Sequence, residues 1–315
     1  MSIYLSVIIP VLNEEKNLPE LISRLIQVIK KDVKRSYEII FIDDGSTDKT
    51  WALIEKYHQK NKKIKGISFF RNFGHQYALT AGINSAKGKL IFMLDGDLQH
   101  PPELLKKFIT KHNQGYEIVA GVRDNKESVA FLKKSFSRSY YWLFNKLSRT
   151  KIIPGTSDFR LISRKVADFV IKLSENDKFY RALFPWSGFK TYYLSYIVHK
   201  RSKGKKQFSF VKSFYMGLEG LISFSTKPLT LSIYLGFFIA SLAFLYGLYA
   251  IYQRLILGKE QSGFTNLIAL ILFLSGIQFV TMGIFGIYIG RITRQIKGRP
   301  EYLIRDNLGF GDSQT

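Results

Sequence analysis

The chain has 315 residues, no cysteine, and a formal net charge of +23 at pH 7. Without cysteine, disulfides and thiolate metal sites are excluded. The basic balance points to an anionic partner: nucleic acid, anionic lipid or a phosphorylated substrate. The mean hydropathy of −0.02 averages two unlike parts, a polar α/β-like stretch and a membrane-like one from about residue 229 onward.

Residues 4–10 are β-branched and apolar and read as a first strand. Asn13-Glu14-Glu15 opens a helix whose Leu18, Leu21, Ile22, Leu25, Ile26 and Ile29 keep helical spacing. A second strand over 37–42 ends at Asp43-Asp44-Gly45-Ser46-Thr47-Asp48, which supplies a turn and an N-cap for a helix over 49–61. Strands follow over 64–70, 90–94 and 117–121, with helices over 75–86 and 101–113 between them. This alternation predicts a doubly wound, mostly parallel sheet. Pro10-Val11-Leu12-Asn13-Glu14 stands where a Gly-rich dinucleotide loop would follow the first strand, which argues against a nicotinamide or flavin enzyme.

The most informative stretch is Leu94-Asp95-Gly96-Asp97-Leu98-Gln99-His100-Pro101-Pro102. The short apolar run before it delivers Asp95 and Asp97 at a strand's C-terminal end, and the two prolines then suit the first turn of a helix. Two carboxylates and the Gln99 carboxamide, spaced two apart, form an all-oxygen set suited to Mg2+ or Mn2+. Asp and Gly also build plain surface turns. The flanking strand and helix favour a site, because open α/β sheets bind ligands at the carboxyl ends of their strands.

Between Ser128 and Ser148, basic residues interleave with Phe131, Phe136, Tyr140, Trp142 and Phe144. That pattern predicts an amphipathic helix lying in a membrane interface, and 208–224 is similar; packing on the domain core is the alternative. Residues 229–252 and 264–290 carry no charge. Each exceeds the roughly 20 residues a helix needs to cross a bilayer core. Their outer flanks are richer in Lys and Arg than the 253–263 linker, so the positive-inside rule puts both flanks, and the large N-terminal domain, in the cytoplasm. No cleavable signal peptide is visible. The basic residues cluster beside these apolar segments and no nucleic-acid-binding signature appears, so lipid is favoured over nucleic acid. The tail after about Asn307 is expected to be flexible.

Three separated elements stand together: Ser6-Val7-Ile8-Ile9-Pro10-Val11-Leu12-Asn13-Glu14, Ile42-Asp43-Asp44-Gly45-Ser46-Thr47-Asp48, and the Asp95–Asp97 stretch. With them, the sequence resembles the GT-A glycosyltransferases of family 2, and more narrowly the polyprenyl-phosphate glycosyltransferases. Arg71-Asn72-Phe73-Gly74-His75-Gln76 and the C-terminal pair of apolar segments are similar to the bactoprenol glucosyltransferase branch. The resemblance implies an α/β GT-A domain, interfacial amphipathic helices and two transmembrane helices. The domain reading is a nucleotide-sugar core over 1–127, an acceptor region over 128–228, two spans over 229–290 and a cytoplasmic tail over 291–315. It implies an integral protein of the plasma membrane with its active site and both termini cytoplasmic.

By the same resemblance, Pro10, Leu12, Asn13 and Glu14 would line a uridine pocket, Asp43 and Asp44 would hold base and ribose, and Arg71 would belong to the donor site. Asp95, Asp97 and Gln99 match the metal and diphosphate motif, and Arg123 an arginine near the reacting phosphates. Lys133, Lys134, Ser137 and Arg138 fall where the family places lipid-phosphate contacts. Arg201 and Gly204 fit a juxtamembrane pattern whose last positions depart here, so that Lys206 stands one position early for the usual lysine. Asp158 reads as a catalytic carboxylate, as the partner of Arg160, or as a helix cap. The implied partners are a UDP-sugar, polyprenyl phosphate and membrane lipid, with homo-oligomerisation left open.

A lipid monophosphate is largely dianionic at neutral pH and can attack an anomeric carbon without a strong base. The harder task is the leaving nucleoside diphosphate, whose charge a divalent cation stabilises. Attack from the opposite face inverts the anomeric centre. Glucose is the sugar implied by the branch; GDP-mannose, N-acetylglucosamine and aminoarabinose donors stay open. A processive polysaccharide synthase would carry Gln-x-x-Arg-Trp before a channel, and no such pattern occurs. A non-catalytic membrane scaffold binding lipid phosphate is opposed by the intact Asp-x-Asp-x-Gln.

Overall fold

The run Leu5–Val11 forms β1, and every residue of it is buried, as a strand covered on both faces requires. It lies between β2 (Tyr37–Asp43) and β4 (Leu90–Met93), parallel to both, and β3 (Ile64–Phe69) extends the parallel set beside β2. The connecting helices are α1 (Leu18–Val28), α2 (Thr50–Lys60) and α3 (His75–Ser85). Helix α1 buries Leu18, Leu21, Ile22 and Leu25 of the predicted face, together with Val28, while Ile26 is half-buried and Ile29 lies just past its end. Burial of each such side chain is worth roughly 1.5–3 kcal/mol. In this computed structural model the described residues are 2–124, 145–146, 151–175, 178–197, 227–256 and 263–310.

Beyond β4 the pattern departs from a simple parallel sheet. After α4 (Leu105–Asn113), β5 (Ile118–Arg123) does not pair with β4. β6 (Thr156–Ser163) inserts between them, antiparallel to both, and β7 (Thr191–Tyr196) closes that side parallel to β5. Two short helices, α5 (Arg164–Ile171) and α6 (Tyr180–Trp186), join β6 to β7. The sheet order is β7-β5-β6-β4-β1-β2-β3-β8. The α/β fold is as expected and the four adjacent strands β4-β1-β2-β3 are parallel, but the sheet as a whole is mixed. β6 is invisible to an alternation argument, because all eight of its residues are buried despite Ser157, Asp158 and Arg160 among them.

The far edge holds a second departure. Residues 291–315 read as a tail, yet Ile304–Leu308 forms β8, antiparallel to β3. The chain thus divides into two compact units, Met1–Asn145 with Thr150–Met216 and Arg299–Thr315, and Lys146–Arg149 with Gly217–Gly298. In the second unit α7 (Lys227–Ile256) and α8 (Phe264–Ile296) are the two apolar helices. They contain Ser232–Tyr249 and Phe273–Ile296, long and apolar enough to cross a membrane by length and composition. Phe237, Phe244, Phe279 and Ile292 are among their exposed side chains. Of the segments read as interfacial helices, all but 145–146 lie outside the described residues.

Candidate active site

The strand order reverses at β1, where the chain runs outward through β2 and β3 and then returns to place β4 on β1's other side. That switch point opens a crevice at the carboxyl ends of the strands. The loops after β1, β2, β3 and β4 all enter it. After β1, Asn13 takes a left-handed backbone (φ 56°), its amide N donates to Ser46 Oγ at 2.9 Å, and its Oδ1 accepts from the Thr47 amide at 2.8 Å. Glu14 is buried and its amide N donates to Thr50 Oγ1 at 2.9 Å. Leu12 is half-buried and Pro10 is buried within β1. These bonds tie the first loop to the second.

The acidic pair at the end of β2 ties the neighbouring loops together. Asp43 is fully buried; its Oδ1 accepts from the Ser46 amide at 3.1 Å and its Oδ2 from Ser68 Oγ at 3.0 Å. Asp44 holds the loop after β3, accepting from the amides of Phe73 at 2.7 Å and Gly74 at 3.0 Å. Burial raises the Asp44 carboxyl above its usual value, against the pull of those two amides. Gly45 has φ 72°, and a Cβ there would meet the Arg71 carbonyl carbon at 2.4 Å. A side chain is therefore excluded by both conformation and space. Arg71 is exposed, with its guanidinium 4.1 Å over the Phe73 ring.

The loop after β4 carries Asp95, Asp97 and Gln99, all half-buried rather than buried. Gly96 packs so closely on the first loop that a Cβ would meet Val11 at 2.7 Å and the Pro10 carbonyl oxygen at 3.3 Å. Leu98 takes φ 65°, a backbone that costs a leucine energy, and the Gln99 amide turns back to Asp97 Oδ1 at 3.1 Å. The Asp95 amide donates to His100 Nδ1 at 3.0 Å, so the imidazole carries its proton on Nε2. Burial drives His100 below its ordinary value against the pull of Asp95, so the ring is neutral at pH 7.

Behind this loop stands a charged cluster. His75, the first residue of α3, has Nε2 3.5 Å from Asp95 Oδ1 and 3.6 Å from Asp158 Oδ2. Arg181, from α6, donates through Nη2 to Asp158 Oδ2 at 3.0 Å and through Nε at 3.2 Å. Burial favours the protonated acid at Asp158, but Arg181 and His75 reverse this and hold the carboxyl well below its usual range. Burial likewise opposes charge on His75, and the two carboxylates outweigh it, so its value is raised. For Asp95, burial is outweighed by His100 and His75 and the carboxyl is lowered. Arg160 is fully buried and donates to the carbonyls of Ser157 at 3.0 Å and Tyr180 at 3.3 Å. The ion-pair partner of Asp158 is therefore Arg181, not the Arg160 beside it in sequence.

Residues 6–170 match the family described as Glycosyl transferase family 2. The chain belongs to that family. An uncharacterised glycosyltransferase of Synechocystis sp. is 37% identical over 98% of this chain and 97% of its own length. A putative glycosyltransferase of Bacillus subtilis is 38% identical over 96% and 91%. The bactoprenol glucosyl transferase of Shigella phage SfII is 36% identical over 96% and 97%.

In this glycosyltransferase the structure gathers Pro10, Asn13, Glu14, Asp43, Asp44 and Arg71 around the first three loops, with Asp95, Asp97 and Gln99 on the fourth. Arg123, the last residue of β5, adds its charge near Asp95 and His100, and its Nε is buried without a partner among the described residues. Lys133, Lys134, Ser137, Arg138, Arg201 and Lys206 lie outside the described residues. The half-buried oxygen donors at the end of β4 fit a hard cation that shares its coordination with a substrate's phosphates. Among the described residues no group of three His, Asp or Glu side chains forms an all-protein metal cage. Sequence reasoning assigned no role to His75, His100 or Arg181. His75 could have been found, since the residue opening a helix after a parallel strand faces the same crevice; Arg181 has no signal in its neighbourhood.

Proposed function

We propose that this glycosyltransferase moves glucose from UDP-glucose to a polyprenyl phosphate, such as undecaprenyl phosphate, at the cytoplasmic face of the membrane, with inversion. The observation that supports it most is the alignment with phage bactoprenol glucosyl transferases over nearly the whole of both chains, apolar helices included. A lipid acceptor also gives α7 and α8 a purpose. β8 belongs to the same sheet as β1–β4, so the polypeptide that leaves the sheet through α7 returns to it after α8. Two crossings, one by each apolar helix, are compatible with that return.

In this reading the loops after β1, β2 and β3 hold the nucleoside through Leu12, Asn13, Asp43, Asp44 and Arg71. Asp95, Asp97 and Gln99 would hold Mg2+ or Mn2+, which when bound neutralises charge on the departing diphosphate. A lipid-phosphate oxygen forms the bond to the anomeric carbon while the bond to the β-phosphate oxygen breaks, releasing UDP. Because the nucleophile is already anionic, no side chain has to accept a proton. His75 and Arg181 keep Asp95 and Asp158 ionised at the floor of the crevice, and Arg123 adds positive charge where two anionic substrates meet. Lys133, Lys134, Ser137, Arg138, Arg201 and Lys206 are proposed to grip the lipid phosphate, on their sequence positions. A screen of radiolabelled nucleotide sugars with undecaprenyl phosphate tests the donor: label enters lipid from UDP-glucose, and labelling from GDP-mannose alone contradicts it.

A further inference from the structure

The strand that follows the second apolar helix touches Ser68 through one side chain, and Ser68 in turn touches Asp43. β8 pairs with β3 in the register Ile67 to Asn307, Ser68 to Asp306, and then Phe69 to Ile304. Arg305 is the residue left over, a β-bulge opposite the junction of Ser68 and Phe69. Bulges re-aim a side chain. Here the re-aimed guanidinium donates through Nη2 to Ser68 Oγ at 2.9 Å, and Ser68 Oγ donates to Asp43 Oδ2 at 3.0 Å. Arginine has no acceptor, so the Ser68 hydroxyl, receiving from Arg305, has only its own hydrogen to direct, and directs it at Asp43. The chain of donors runs one way and ends on a fully buried carboxylate of the nucleoside wall.

The rest of the segment fixes Arg305 in place. Tyr302 stacks on Phe69 with ring centroids 4.9 Å apart. The Phe70 amide donates to the Leu303 carbonyl at 3.2 Å, and Glu301 pairs with the nearly buried Lys178 at 2.9 Å. Arg305 also pairs with Asp306 at 2.9 Å, which restrains the guanidinium plane.

We propose that Arg305 is a positioning residue for nucleotide-sugar recognition, acting through Ser68 on Asp43. This rests on the reading of the Asp43 loop as the donor pocket. Without Arg305 the Ser68 hydroxyl is free to rotate away, and Asp43 loses the donor on Oδ2 and is held only through Oδ1 by the Ser46 amide.

The test measures UDP binding by calorimetry and steady-state kinetics with each substrate varied, on the full-length protein in neutral detergent. Arg305→Ala is expected to raise the UDP dissociation constant and the donor KM about tenfold, the size of one charge-assisted hydrogen bond. kcat and the lipid KM stay within about twofold, a split that a general loss of structure would not give. Arg305→Lys recovers most of the loss. Ser68→Ala, which keeps the β3–β8 main-chain pairing, reproduces it, and the double variant is no worse than either single one. If Arg305→Ala lowers Tm enough to detach β8, Ser68→Ala and Arg305→Lys decide. Unchanged donor parameters in Ser68→Ala, or additive losses in the double variant, overturn the proposal while leaving the donor reading intact. A wild-type protein that binds no UDP overturns both.

Discussion

Asp95 and Asp97 sit where they do because β4 ends at Met93 and Pro101 and Pro102 force a new start, leaving a loop that must turn within the crevice. Leu98 accepts a left-handed backbone to complete that turn. Asp97→Ala removes one of the three oxygen donors proposed for the metal and is expected to lower turnover about a hundredfold or more, since stabilising the leaving group is worth several kcal/mol. Full activity of the variant, or of wild type in excess chelator, would show that the loop has another purpose. Asp158 makes a different prediction. Its folded-state carboxyl is held below the ordinary value of about 3.9, so the stability it contributes is fully present above pH 4 and fades as pH falls toward the folded value. Asp158→Asn should therefore be about 2–3 kcal/mol less stable than wild type at pH 7, with Arg181 left facing a neutral amide. In denaturant titrations across pH, the gap should narrow below pH 4; a gap constant down to pH 2 contradicts this. Of these residues, the motif carboxylates were legible because their spacing is local. The partners of Asp158 were not, because Arg181 reaches it from another element at a sequence separation of 23.

At the scale of elements, the parallel strands and their helices were legible to within a few residues, since buried runs alternate with 3.6-periodic ones. β7 was also not foreseen, and among the missed strands β6 and β8 escaped for opposite reasons. β6 carries polar residues whose partners are supplied from elsewhere in the fold, such as the Tyr196 hydroxyl that meets Ser157 Oγ at 3.0 Å. β8 reads Ile-Arg-Asp-Asn-Leu, poor in strand formers, and exists because β3 offers an unpaired edge and Tyr302 anchors the approach. The loop after β2 shows how closely these elements are fitted. Gly45→Ala places a methyl into the backbone of Arg71 at a positive φ, and should cost about 1–3 kcal/mol and raise the donor KM by displacing the 71–74 loop. Thermal unfolding together with donor-dependent kinetics checks it; wild-type values in both would mean that the two loops do not form one wall.

For the whole molecule, the chain returns to its own sheet after two apolar helices. The proposed topology, with both basic flanks on one side of the membrane, is compatible with that return. Because the protein has no cysteine, single cysteines can be introduced freely. A cysteine in the 253–263 linker should react with a membrane-impermeant thiol reagent from outside intact cells, and one near residue 300 only after lysis. Labelling of both from the same side contradicts two crossings.

In the proposed reaction, UDP release is coupled to a lipid phosphate acceptor. Purified protein in neutral detergent, given UDP-glucose and a divalent cation, should release UDP only when undecaprenyl phosphate is added, with one glucosyl lipid formed per UDP. UDP release at the same rate without the lipid, or release with lipid present but no glucosyl lipid formed, would contradict the account.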